Sequence, residues 1–265
     1  MSKLISLAVT LLFISQMITG QINFPGGRIA YSADGNQHDH DDFAATAMSL
    51  ALFKAAGLET SVVHYDFSNH LGDNNVKMDS QMVVSAIGGA ERFGFDKKYF
   101  FNCQTQLDAA IKNFRKEGNK SSADNPLWYI CAGPMEVAWR CVNAVKPSKR
   151  KYIYVISHSD WNNKHNDTPE MTHTWADMPS LGVNVIDIKD QNPGTNRPYE
   201  EYHWLRDSED IDYQWLWERG IATGKKKFDP SDAGMSYFLL TGGPNGGDED
   251  CNPDKFREML KSLKQ

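Results

Sequence analysis

Short apolar runs and helical patterns take turns along this chain from residue 28 to residue 188. RIAYSA (28–33), TSVVHYDF (60–67), KYFFNC (98–103), LWYICAG (127–133), KYIYVISHS (151–159) and VNVIDI (183–188) read as strands. Between the first two, Phe43, Ala44, Ala47, Met48, Ala51 and Ala55 recur at helical spacing, and Gly57 closes that helix. Residues 78–94, 105–118 and 134–145 carry further helical patterns. Strand and helix repeated in this way predict an α/β fold of the Rossmann type: one mostly parallel sheet with helices on both faces. A length of 265 residues with 40 % hydrophobic content suits a single such domain over residues 21–265.

In open α/β sheets the functional crevice lies outside the carboxyl ends of the strands. Here the residues just past the strands are 34–42, 66–69, 133–136 and 157–162, all unusually polar, and the fold rule brings them to one edge. After residue 191 the character changes. Residues 192–220 are rich in Trp, Tyr and charge and read as an excursion over the sheet edge. Residues 231–242 return to helical spacing, and the tail predicts a surface helix capped by Asn252 with Pro253 at its first position.

The first twenty residues stand apart. Lys3 precedes an apolar run over 4–14, which reads as a secretory signal peptide cut near Gly20 and Gln21. The run is short for a bilayer span of ~20 residues. The expectation is a secreted or periplasmic protein with no membrane association after cleavage. Net charge is −6, and Lys and Arg are scattered, which excludes the clustered basic footprint of a nucleic-acid binder. Cys103, Cys131, Cys141 and Cys251 lack zinc-site spacing and are expected to be buried free thiols.

ADGNQHDHDDFAAT (33–46) concentrates Asp34, Asp39, Asp41 and Asp42 with His38 and His40 just before a helix. A helix dipole favours carboxylates in its first turn by ~0.3–1 kcal/mol each, which accounts for one or two of them. Carboxylates held within ~4–6 Å raise one another's pKa unless a cation compensates. A hard divalent ion resolves the repulsion, and calcium, with its ~6–8 oxygen ligands, suits the donors present. The two histidines make zinc or another divalent transition metal the alternative.

A strand ending in Asp, a short loop, then Asp-Asp opening a helix of small and apolar residues resembles the calcium motif of the nucleoside hydrolases. Residues 125–145 resemble that family's strand–Gly-Pro–helix segment, and residues 229–242 its late motif with an Asp at a helix start. The similarity is greatest to a secreted nucleoside-hydrolase-like branch, which residues 152–188 also match loosely. The resemblance implies a calcium ion held by Asp34, Asp41, Asp42, Asp232 and a backbone carbonyl at Met135. It also implies that Asp34 or Asp39 acts as general base toward a metal-bound water attacking an anomeric carbon. Asp34, as the strand-end residue, is the preferred occupant of the first metal position.

Three departures bear on the substrate. The loop between the first Asp and the Asp pair is longer, Met135-Glu136 stands where the family has Leu-Thr-Asn, and Ser231 precedes Asp232 where a base-contacting His is common. The expected activity is therefore a secreted, calcium-dependent glycosidase acting on a small-molecule or oligosaccharide ligand. The alternatives are a non-catalytic carbohydrate-binding protein and a true nucleoside hydrolase. Candidate substrate contacts are Asn69, at a ribose-binding position or a turn, and Glu136, a ligand contact or a helix-dipole acid. His158 (with His38) is a possible leaving-group acid, Asn162 a contact or a loop cap, and Trp161 and Trp215 are stacking platforms or core residues.

Overall fold

The computed structural model describes residues 22–37, 41–72 and 75–264; the expected leader and the loop residues His38, Asp39 and His40 lie outside the described residues. Six strands, β1 (Arg28–Ala33), β2 (Val62–Phe67), β3 (Phe100–Asn102), β4 (Leu127–Ala132), β5 (Ile153–Ser157) and β6 (Asn184–Asp187), form one sheet. Their order is β3-β2-β1-β4-β5-β6 and every pairing is parallel. Each strand falls inside one of the six apolar runs. β2 and β4 are buried along their whole length, as strands covered on both faces must be. Tyr31, Tyr65 and Ile130 face one core, and Ala30, Val63 and Tyr129 the other.

The first core is covered by α1 (Asp42–Ala55), α2 (Val76–Phe93) and four later helices. The second is covered by α3 (Cys103–Gly118), α4 (Met135–Asn143), which is followed by the short α5 (Pro147–Arg150), and the segment around Met171, Met178 and Leu181. After β5 comes α6 (Asp160–Lys164). The Trp-rich excursion holds α7 (Asn192–Thr195), α8 (His203–Arg206) and α9 (Ile211–Ile221). Its aromatics join the main core: Tyr202 stacks on Phe228 at 4.2 Å, and Trp215 meets Phe93 edge-on at 5.7 Å. The chain closes with α10 (Ala233–Leu240) and α11 (Pro253–Leu260), the latter capped by Asn252, whose side chain accepts from the Lys255 amide at 3.0 Å. All four cysteines are free and buried. No helix among the described residues is long and apolar enough to cross a membrane.

Two helices depart from the expected one-sided pattern. α1 is buried from Asp42 to Phe53 and α10 over its whole length, so both are central, enclosed on all sides. The Ser236 hydroxyl donates to Ser49 at 3.0 Å, and Ser49 to the Tyr31 hydroxyl at 3.3 Å, which locks α10, α1 and β1 together. The leading ends of these two helices are thereby fixed at the carboxyl edge of the sheet, beside the switch point between β1 and β4 where the strand order reverses.

Candidate active site

Asp34 follows β1 and is clamped by its neighbours. Its amide donates to the Ala132 carbonyl at 3.0 Å, and its own carbonyl accepts from the Ser68 amide at 3.2 Å. One carboxylate oxygen accepts from the Gly35 amide and the other from Trp161 Nε1 at 3.3 Å. Gly133, at φ +148°, closes in from β4: a Cβ there would lie 3.0 Å from the Asp34 Cβ and 2.8 Å from Asn69 Oδ1. The two non-glycine residues with positive φ among those described, Ser68 and Ser159, stand at the tips of β2 and β5, along this same edge. Such strained positions gather at functional sites.

Asp41 and Asp42 open α1, and Asp232 opens α10. Neither Asp41 nor Asp232 turns its carboxylate back to cap its own helix. Asp232 Oδ1 instead accepts from Asn162 Nδ2 at 2.7 Å and from His158 Nε2 at 2.9 Å. Asp41 pairs with Lys225 at 2.6 Å, and the Ser231 hydroxyl approaches it at 3.5 Å. Asp42 is 1 % exposed, yet its Oδ1 meets no donor among the described residues.

Five buried carboxylates, Asp34, Asp41, Asp42, Asp229 and Asp232, thus share this edge with two cationic groups, Lys225 and His158. Burial raises the Asp34 carboxyl to about 6, with Asp41 and Asp232 adding to the push and hydrogen bonds from Asp42 and Trp161 opposing it. Burial and the adjoining Asp34 drive Asp42 well above the carboxylate range. Burial, then Asp41, lifts Asp229 to about 7 against the pull of Lys225. For His158 burial opposes the charge, but the flanking Asp190 and Asp232 carry it up to about 9. The Gln191 amide also points at His158 Nδ1, from 3.3 Å, nearer than the 3.5 Å of Asp190. Among the described residues, the carboxylates of this cluster outnumber its cationic groups. An all-oxygen donor set with an orphaned buried carboxylate oxygen fits a hard divalent ion.

The cleft at this edge encloses about 210 Å³ and is lined by Asp41, Trp161, Asn162, Lys225, Asp229 and Asp232, among others. It is small beside the ~300–1,000 Å³ pockets of drug-sized ligands. Asn69 donates to the Ser32 hydroxyl at 2.8 Å, while its Oδ1 meets no donor among the described residues. Met135 opens α4 directly after Gly133 and Pro134 and is fully buried. His158 is 1 % exposed, lies along the cleft wall and holds the Asp232 carboxylate.

Two of the expected contacts lie elsewhere. The Glu136 carboxylate is taken up by Arg140 at 2.6 Å, the Thr172 amide at 2.7 Å and His173 at 2.9 Å, and it ties that loop to α4. Trp215 sits on α9 against Phe93, with Arg92 over its ring at 5.4 Å, away from the cleft. Sequence reading passed over Lys225, Asp229 and Asn196. Asn196 Nδ2 holds Asp229 Oδ2 at 2.6 Å, and Asp229 Oδ1 meets no donor among the described residues. The one available signal was the Asp-Pro-Ser-Asp run over 229–232, from which only its last residue was drawn.

No protein-family model matches the chain. The uncharacterized protein P22 of Formosa agariphila is 35 % identical over 255 residues, covering 90 % of this chain and 92 % of that protein. The crystal structure of an inosine-uridine preferring nucleoside hydrolase from Bacillus anthracis aligns with a TM-score of 0.50 at 10 % identity, over 89 % of this chain and 100 % of that one. The fold is nucleoside-hydrolase-like.

Proposed function

The chain belongs to the same family as protein P22 of Formosa agariphila, and from the acidic cleft at its switch point we propose that it is an exported, calcium-dependent hydrolase of glycosyl bonds, acting on a sugar or glycoside. The observation that carries this reading is the convergence of Asp34, Asp42 and Asp232 from three separate elements, with Asp42 Oδ1 buried and lacking a donor among the described residues. Asp34, Asp41, Asp42 and Asp232, with the backbone at Met135, are the groups that would hold the ion. Calcium, when bound, acidifies and orients a water and offsets the carboxylate repulsion.

Asp34 accepts the proton of the attacking water. Its carboxylate is aimed by the Gly35 amide and by Trp161. Asp229, held through one oxygen by Asn196 and protonated up to about pH 7, is the group with a proton to give to the departing oxygen. Asn69 Oδ1 supplies an acceptor for a ring hydroxyl. Ser231, facing Asp41, offers no imidazole to a nucleobase, which favours a sugar or alcohol as the departing group.

The test is calorimetric titration of metal-free protein with calcium, beside a screen of aryl glycosides, oligosaccharides, inosine and uridine with and without chelator. Chelator-sensitive release of sugar supports the proposal. Calcium-dependent binding without product identifies a carbohydrate-binding protein, and release of free base from inosine or uridine identifies a nucleoside hydrolase. Fractionation of the producing cells tests export.

A further inference from the structure

Outside the acidic cleft, two groups among the described residues bring three metal-ligating atoms within 4.8 Å of one another: His64, Asp66 and Cys141, and His70, His165 and Asp167. The first is enclosed beneath the sheet, and hydrogen bonds account for its carboxylate. The second stands beside the cleft, where two imidazole nitrogens and a carboxylate oxygen converge on one point.

His70 Nε2 lies 3.3 Å from His165 Nε2 and 3.0 Å from Asp167 Oδ1, and His165 Nε2 lies 3.2 Å from the same oxygen. A proton on each nitrogen satisfies both contacts to oxygen but sets two N–H groups against each other across the third side. A proton on only one nitrogen leaves the other's lone pair facing a carboxylate oxygen. A single cation at the common focus removes the conflict. The dimensions agree: with metal–ligand bonds of about 2.0–2.1 Å, the ligand atoms of a tetrahedral ion stand about 3.3 Å apart. We propose that His70, His165 and Asp167 form a transition-metal site of the zinc class, distinct from the calcium cleft and independent of the glycosidase reading. Imidazole nitrogen with one carboxylate is a borderline donor set that suits zinc and not calcium.

The ligands are held in place. The His70 amide donates to Asn36 Oδ1 at 3.2 Å, and its carbonyl accepts from Asn36 Nδ2 at 3.0 Å and Gln104 Nε2 at 2.8 Å. The His165 ring stacks on Trp161 at 3.7 Å. The Thr168 hydroxyl donates to the Leu71 carbonyl at 2.6 Å, drawing the Asp167 segment onto the residues after β2. Three protein ligands leave a fourth position for water or a ligand group, the pattern of zinc sites that exchange ligands. Trp161 also bonds Asp34, so this site borders the acidic cleft.

Titration of metal-free full-length protein with Co²⁺, read by visible absorption and followed by Zn²⁺ competition, tests the proposal. One equivalent of cobalt should give the intense bands of a four- or five-coordinate ion and be displaced by zinc. His165→Gln and Asp167→Asn, both at partly exposed positions and checked for native circular dichroism, should weaken cobalt binding by at least roughly 100-fold, beyond the ~10–100-fold cost of losing an outer-shell partner. Asp42→Asn should leave the cobalt spectrum unchanged. Absence of cobalt bands in the unsubstituted protein overturns the site. So does a spectrum that survives both His165→Gln and Asp167→Asn.

Discussion

Asp66 and Asp42 are both buried carboxylates near the strand tips, and their surroundings could hardly differ more. Asp66 accepts from the Ser32 hydroxyl at 2.5 Å and Cys103 at 3.6 Å on one oxygen, and from His64 at 2.9 Å and Tyr129 at 3.0 Å on the other. Asn113 Nδ2 approaches His64 Nδ1 at 3.1 Å, which leaves Nε2 to carry the hydrogen that His64 gives to Asp66. This carboxylate is stabilised by protein donors. Asp42 has an oxygen with no donor among the described residues and three acidic neighbours, Asp34, Asp41 and Asp232. A fully donated buried acid is part of the fold, whereas an under-donated one among like charges is poised for something from outside.

The sharpest way to break this contrast is Asp42→Asn. Calcium affinity and kcat/KM should fall by 10³-fold or more, roughly 4 kcal/mol. The metal-free fold should lose nothing, because a neutral amide relieves the repulsion. Calorimetry and thermal unfolding of the same sample check both halves, and retained calcium binding would place the ion elsewhere. Next in size is Asp229→Asn. Loss of a general acid costs about 10²–10⁴-fold, and the loss should be large for alkyl glycosides and slight for p-nitrophenyl glycosides, whose leaving group needs little protonation. Equal losses on both would remove Asp229 from that role.

Asp66→Asn should show the opposite profile. The amide presents hydrogens toward the donors that held the carboxylate, so stability should drop by about 3 kcal/mol, read from urea unfolding at unchanged m-value. Calcium affinity should stay within about twofold.

How much of this contrast is legible in the sequence follows from what each residue depends on. All six strands announce themselves as apolar runs, because a strand buried on both faces has no freedom to be anything else. Asp34, Asp41 and Asp42 are visible as a local excess of charge at a strand-to-helix junction. Asp232 was reached only through a family resemblance. Asp229 is marked only by its place in the Asp-Pro-Ser-Asp run and Lys225 by nothing local, since their meeting with Asp41 depends on how α9 and α10 pack against α1. Glu136 sits at a helix start like a site residue, and only the tertiary position of Arg140 and His173 reveals its other use. His70 and Asp167 are ordinary polar loop residues until β2 and the segment after α6 are laid side by side.

Titration bears on the acidic cleft. Asp34 and Asp229 bind protons more tightly folded than unfolded. The stability they contribute is full below the ordinary value of 3.8 and is lost as pH rises through about 6 and about 7. His158 acts in the same sense, its contribution full below 6.5 and lost through about 9. Metal-free protein should therefore be less stable at pH 8 than at pH 5, read as a lower Tm at the higher pH. Saturating calcium, which binds the ionised carboxylates, should flatten or reverse the trend. A calcium-insensitive pH profile would mean that Lys225 and His158 suffice to balance the cleft.

The smallest expected effect tests the boundary between the acidic cleft and the neighbouring histidines. Trp161 gives its Nε1 hydrogen to Asp34 at 3.3 Å and the face of its ring to His165 at 3.7 Å. Trp161→Phe keeps a stacking face and deletes the donor. One long hydrogen bond to a charged oxygen is worth about 1 kcal/mol net, so kcat/KM and calcium affinity should fall roughly fivefold. Cobalt binding at His70, His165 and Asp167 should hold within about twofold, because the ring that braces His165 remains. If the substitution instead disturbed cobalt and left calcium untouched, Trp161 would serve the histidines alone, and the aim of Asp34 would rest on the Gly35 amide and the backbone clamp of β2 and β4.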